Sequence, residues 1–285
     1  MSNRDEPLFC DTALAARIER AEIGLITKAA EAALRRRPDV AGFVRPLAGG
    51  AACYAEAGSP LNKVVGLGFG GVPSAADLDD VERAFAERDT PVQVELAHLA
   101  DPEIAARLTG HGYRLISFEN VLGLALRTGR DRITPPGVEV SISTEDEFGS
   151  WLDVVTEGFA HPDTEGLPSH EEFPREILAN AVRDMTEAGG VRRYLARRDG
   201  TVAGGASMRL ADGIAQLNGA ATAPAHRRHG VQSALLSARL ADAADAGCDL
   251  AVVVTQPGSK SQQNVQRSGF HLLYTRAILV KSPQS

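Results

Sequence analysis

Ala220-Ala-Thr-Ala-Pro-Ala-His-Arg-Arg-His-Gly-Val-Gln-Ser-Ala-Leu-Leu236 takes a strand of small residues into a basic turn and out along an Ala/Leu-rich helix. Gly230 lets the backbone come close to a ligand, and the first N–H groups of the following helix have no acceptor within it. Their partial positive charge favours an anion, and Arg227, Arg228 and His229 add to it. The stretch reads as a phosphate cradle. A solvated surface loop is the plainer alternative, and the elements on either side decide between the two.

Upstream of the turn, residues 193–197, 201–209 and 214–222 are strand-like runs separated by Arg198-Asp199-Gly200 and Ala211-Asp212-Gly213, both hairpin signals. Before them, residues 138–143 alternate like a strand, and residues 145–159 and 171–188 carry apolar side chains three and four apart, as helices do. Downstream, residues 231–246 form an amphipathic helix and residues 250–255 a short buried strand. A second helix over 259–268 ends at Gly269, and residues 271–281 close with another strand.

The spacing Arg227-x-x-Gly230-x-Gln232 resembles the acyl-CoA diphosphate loop of the GNAT superfamily of N-acetyltransferases. Gln232 departs from the family, which has a small residue there, although its amide is itself a donor. The element order from residue 138 to residue 281 resembles a GNAT domain, and Ser261-Gln-Gln-Asn-Val-Gln-Arg-Ser-Gly-Phe270 is similar to the second family signature, a helix followed by Gly-Phe and a strand.

The resemblance implies an α/β fold of tandem GNAT-like domains, each a central mixed, mostly antiparallel sheet flanked by helices, and acetyl-CoA as acyl donor. It implies that Ala221, Thr222 and Ala223 run beside the pantetheine arm, and that Arg228, His229, Gly230, Val231, Gln232, Ser233 and Ala234 hold the diphosphate, with Ser261 near the cofactor. In the family an amine attacks the thioester directly, and an alkyl ammonium with a pKa of about 10.4 must first lose a proton. Where several members have a glutamate base this chain has Gln216; where many have a tyrosine acid it has Val265; and Gly258 replaces a frequent Asn. His161 and Tyr274 are the remaining candidates for proton transfer. The loop around His161, with Asp163, Glu165, Glu171 and Glu172, has the charge to attract a cationic amine.

Gly112-Tyr-Arg-Leu-Ile-Ser-Phe-Glu-Asn-Val-Leu122 can be laid on Gly269-Phe-His-Leu-Leu-Tyr-Thr-Arg-Ala-Ile-Leu279, an offset of 269 − 112 = 157. The same offset pairs Leu78 with Leu235, Val94 with Ala251 and Pro102 with Ser259, which indicates an internal repeat. It sets Gly70 against Arg227 and Pro73 against Gly230, so the first copy lacks the basic loop. The glycines of Val64-Val-Gly-Leu-Gly-Phe-Gly-Gly-Val-Pro-Ser74 are expected to serve packing and a turn. Residues 127–137, rich in charge, Gly and Pro, read as the connection. The expected arrangement is tandem: residues 1–130 a degenerate GNAT-like domain without a phosphate loop, residues 131–285 the acetyltransferase domain.

The 285 residues are 44% hydrophobic and 24% charged, ordinary globular proportions. A net charge of −7 without long charge blocks argues against nucleic acid as a partner, and Arg35-Arg36-Arg37 sits where cations offset a helix dipole. Cys10, Cys53 and Cys248 form no C-x-x-C pair or even-numbered framework, and with no signal peptide or apolar span the expectation is a cytoplasmic protein that does not enter membranes. The histidines show no metal-binding spacing, so no metal is expected. The competing readings are a non-catalytic acyl-CoA-binding or regulatory module, and a nucleotide-binding protein, which lacks the usual Gly-Lys-Ser/Thr ending.

Overall fold

Asp199 and Asp212 hold φ of 50°, the conformation that a tight two-residue hairpin with an Asp-Gly turn requires. They fold the three strands β7 (Val191–Arg198), β8 (Thr201–Ala211) and β9 (Ile214–Thr222) back on one another. The computed structural model describes residues 8–161 and 172–283. Its first half contains α1 (Thr12–Arg36), β1 (Phe43–Leu47), β2 (Gly50–Tyr54), β3 (Lys63–Val65), α2 (Ala75–Ala86), β4 (Val92–Ala97), α3 (Pro102–Gly110) and β5 (Arg114–Ala125). The second half adds β6 (Val138–Ile142), α4 (Phe148–Ala160) and α5 (Arg175–Thr186) before β7, then α6 (Val231–Asp245), β10 (Leu250–Thr255), α7 (Lys260–Arg267) and β11 (His271–Lys281) after β9.

All the strands join one mixed sheet in the order β1-β2-β3-β4-β11-β5-β10-β9-β8-β7-β6. The parallel pairs are β3 with β4 and β10 with β9, equivalent positions in the two copies of the repeat; the other pairs are antiparallel. The tandem arrangement expected from the sequence has one sheet per half. The structure instead exchanges the last strand of each copy: β11 lies between β4 and β5, while β5 pairs with β10. The connection from Leu126 to Gly137 therefore joins halves that share a sheet.

Alternating side chains cover both sheet faces, as strand geometry requires. Leu195 turns towards Trp151, Val155 and Val182 of α4 and α5, whereas its neighbours Tyr194 and Ala196 meet Leu235, Ala238 and Val265 of α6 and α7. On that second face α2 and α3 cover the first half through Leu78, Phe85, Ile104 and Leu108. The 25-residue α1, capped by the Asp11 carboxylate accepting from Leu14 N–H at 2.8 Å, spans both halves on the opposite face. Its Ile18 and Ala21 meet Ile214, Leu250 and Tyr274, and Ala29, Ala30 and Ala33 meet Ala51, Cys53 and Ala181. The alanines keep the interhelical separation from α5 small, and Asp184 of α5, fully buried, accepts from Arg36 Nε at 2.9 Å and Arg37 Nη2 at 2.7 Å. The glycine-rich segment does serve packing: a Cβ on Gly49 would stand 2.6 Å from Gly70 Cα.

Beneath α1 lies a charged core. Arg276 of β11 donates from Nε to Glu19 at 2.8 Å and stands 3.9 Å from Glu22, 3.7 Å from Glu95 and 4.0 Å from Glu119. Lys63 pairs with Glu95. Burial, and then the nearby Glu95 carboxylate, push Glu119 up to about 7, and burial raises Glu22 as well.

Candidate functional site

Strands β9 and β10 pair only through Ile214–Gln216 with Leu250–Val252. Beyond that point they separate. The cause is on β9: Gly205 pairs with Ala221 and Ser207 with Asn218, so β9 advances three residues while β8 advances two, a bulge at Gly219 and Ala220. Gly219 takes φ of 55° there. The splay opens a cleft of about 150 Å³ bounded by Asn218, Gly219 and Ala220 of β9, Val253 and Val254 of β10, Gln232 and Arg239 of α6, and Ser261 and Val265 of α7. Phe159 of α4 closes it from the other sheet face, where Gly158 lets the helix lie so near that a Cβ would stand 2.4 Å from Ala221 Cβ.

Ala223 N–H donates to Ala203 O at 2.9 Å, so the antiparallel alternation turns the N–H and C=O of Thr222 towards the splay. Thr222 Oγ1 is buried without a hydrogen-bond partner among the described residues.

The turn then delivers a helix end. After a 3-10 turn over Pro224–His226, Arg228 takes φ of 64° and Gly230 φ of 80°, and no side chain caps α6. A Cβ on Gly230 would meet Pro135 Cγ and Cβ at 2.7 and 2.8 Å, so both backbone conformation and close approach demand glycine. Arg228, His229 and Ser233 are exposed around the free N–H groups, Gln232 is half-buried at the cleft, and Val231 and Ala234 anchor the first turn in the core with Ala221 buried beside them. Arg227 is turned away, its Nη2 donating to His161 O at the end of α4.

The two proton-transfer candidates do not meet in the cleft. His161 lies exposed at the C-terminus of α4, with Nδ1 3.2 Å from Glu157 Oε1. Tyr274 is buried under α1, where its hydroxyl donates to Glu19 at 2.6 Å and burial holds its pKa well above the usual phenol value. Asp163, Glu165 and Glu171 lie outside the described residues, and Glu172 is exposed. Gln216 is engaged within the fold, accepting from Arg209 Nη1 at 2.8 Å and donating to Glu22 Oε2 at 3.2 Å. Val265 is buried against the cleft, and Ser259 caps α7, accepting from Gln262 N–H at 3.2 Å.

Pro135, Glu22 and Arg239 carry no local signal in the sequence, because their roles come from long-range contacts. Arg239 is 2% exposed and donates from Nε to Leu235 O at 3.1 Å and from Nη1 to Ser207 O at 3.0 Å and Asn218 O at 3.4 Å. Away from the cleft, among the described residues, Asp79, Glu82 and His111 place possible metal ligand atoms within 4.8 Å of one another in the first half. Among the described residues no helix is long and apolar enough to cross a membrane.

Residues 156–270 match the family model described as Acetyltransferase (GNAT) family. No curated protein matches the sequence significantly. Among solved structures the chain is similar to a GCN5-related N-acetyltransferase from Kribbella flavida, with a TM-score of 0.66 at 20% identity, covering 95% of this chain and 96% of that one. A tandem GNAT protein from the clavulanic acid biosynthesis pathway superposes with a TM-score of 0.60 at 14% identity over 98% of each chain. A GCN5-related N-acetyltransferase from Sphaerobacter thermophilus gives 0.56 at 16% identity, over 74% of this chain and 68% of that one. At these identities the likeness is one of fold.

Proposed function

We propose that this chain, whose second half belongs to the GNAT acetyltransferase family, transfers an acetyl group from acetyl-CoA to an amine of a small molecule or to an exposed amino group. The observation that carries this reading is the splay of β9 from β10 running directly into the uncapped N-terminus of α6. The cleft offers backbone groups at Thr222, and the helix end offers a row of free N–H groups beside Arg228 and His229. Those features fit acetyl-CoA, an extended ligand with a diphosphate at one end and amides along its arm. Bound there, it supplies an activated acyl group as a thioester.

The protein residues then have three tasks. Residues 228–234 would hold the diphosphate, and Thr222 would pair with the arm as an added strand does. Leu217, Val253, Val254 and Phe159 give the cleft an apolar part of its lining, which disfavours the ammonium form of an entering amine and favours its neutral, nucleophilic form. Among the described residues the lining has no carboxylate, histidine or tyrosine, so positioning and desolvation carry more of the reaction here than a built-in base. The acceptor is accordingly an amine, cationic in solution, and neither nucleic acid nor membrane is needed. Cytoplasmic placement fits three unpaired cysteines, two of them buried.

A second reading, a non-catalytic acyl-CoA-binding module, is favoured by one observation: Gln216 is locked between Arg209 and Glu22 and cannot accept a proton. Thiol release from acetyl-CoA over a panel of amines separates the two. Turnover with any amine supports the transferase; CoA binding without turnover on any acceptor supports the module; and absence of CoA binding overturns both.

A further inference from the structure

Arginine 239 stands out among the charged side chains of the interior. Buried Arg276 has Glu19, whereas Arg209 bonds the carbonyls of Gly189 and Ala21 and the amide oxygen of Gln216, away from the cleft lining. Among the described residues, Arg239 has only backbone carbonyls, those of Leu235, Ser207 and Asn218, although it is 2% exposed. Its phenolic neighbour Tyr194 donates to Asp242 at 2.9 Å, and Asp242 is further neutralised by Arg132. Among the described residues no carboxylate pairs with the cation, and burial lowers its pKa to about 10, still charged at neutral pH. An isolated buried charge is costly, and an anion arriving beside it would remove that cost.

The location says which anion. Arg239 lies nine residues beyond Gly230, about 13 Å along the axis of α6. It binds the carbonyl of Asn218 at the inner end of the splay, next to the bulge at Gly219, and it lines the cleft together with Ser261 and Val265. An arm that entered from the helix end and followed β9 inward would reach this end of the cleft. We propose that Arg239 stabilises the CoA thiolate, holding the positive charge against which the sulfur leaves.

This rests on the acyl-CoA reading and deepens it. When the amine nitrogen bonds to the acyl carbon, the C–S bond breaks with its electron pair on sulfur, and the proton released by the amine goes to solvent. A fixed cation with no reorganisation to undergo lowers the energy of that charge as it develops. The arrangement also explains why Val265 can be apolar: charge stabilisation replaces proton donation.

The test compares CoA with desulfo-CoA, which lacks the thiol, by calorimetry on the full chain between pH 6 and pH 9. The expected result is that CoA gains affinity over desulfo-CoA as pH rises, with the gain beginning below the pH at which free CoA thiol ionises. The gain should be about tenfold for each unit by which the bound thiol pKa falls. In R239Q that gain disappears while desulfo-CoA affinity is retained; in R239K it persists in part. Identical pH profiles for the two ligands on the unmodified protein overturn the proposal, whether or not the variants fold, and leave the acyl-CoA reading standing. Failure of both ligands to bind overturns the acyl-CoA reading itself.

Discussion

Tyr274 donates its hydroxyl to Glu19 at 2.6 Å although 255 residues separate them, joining the last strand of the chain to its first helix. Glu19 also accepts from Arg276 Nε at 2.8 Å, and both partners of that ion pair are almost fully buried. The contact assigns Tyr274 to the core. The Y274F variant should lose about 1 kcal/mol of stability, one hydrogen bond's worth, with CoA affinity unchanged. E19A, which leaves Arg276 short of its nearest carboxylate, should lose about 3 to 5 kcal/mol. Urea unfolding of both variants measures the difference.

Gly230 is constrained twice, by its φ of 80° and by Pro135 at 2.7 Å from a would-be Cβ. G230V should therefore displace the turn and the first residues of α6 together. We expect at least a tenfold loss of CoA affinity in calorimetry, with cooperative unfolding retained because the rest of α6 is anchored in the core by Leu235, Leu236 and Leu240.

Glu119 titrates at about 7 in the fold against an ordinary 4.5, because burial and Glu95 favour its neutral form. Between those values the folded chain holds a proton that the unfolded chain releases, so its contribution to stability falls as pH rises through that window. E119Q should flatten the stability profile between pH 5 and pH 7 and gain on the order of 1 to 3 kcal/mol at pH 8. Denaturation midpoints across that range provide the measurement; Glu22, raised in the same direction, leaves a residual slope.

The exchanged strands predict how the halves behave apart. Residues 131–285 expressed alone leave β11 without either of its partners, β4 and β5, and remove β5 from the edge of β10. That fragment should show neither cooperative unfolding nor CoA binding, and co-expression with residues 1–130 should restore both. Circular dichroism and calorimetry read the result.

Much of the second half is legible locally. The two Asp-Gly turns fix the hairpins by backbone conformation alone, and helix, strand and cap signals place β6 to β11 within a few residues. The basic turn with Gly230 likewise carries its own signal, since an anion site at a helix end is made by a single short segment. The first half is less explicit. Phe43–Leu47 and Gly50–Tyr54 form a hairpin whose inner strand is buried and whose outer strand is the sheet edge, with Arg45 and Pro46 exposed. Val44 to Tyr54 are rich in Ala and Gly and carry little of the alternation that marks a half-exposed strand.

What the chain determined by itself was therefore the element order of the second half, the repeat offset of 157 and the basic turn at Gly230. Only tertiary structure decided that β5 and β11 trade places, because the two are copies of one strand with similar apolar patterns, and either satisfies the hydrogen bonds of either neighbour. Tertiary structure likewise brought Glu22 to Gln216 and left Arg239 with carbonyls alone. A charge's partners lie across the fold, and no spacing along the sequence reports whether a buried arginine finds a carboxylate.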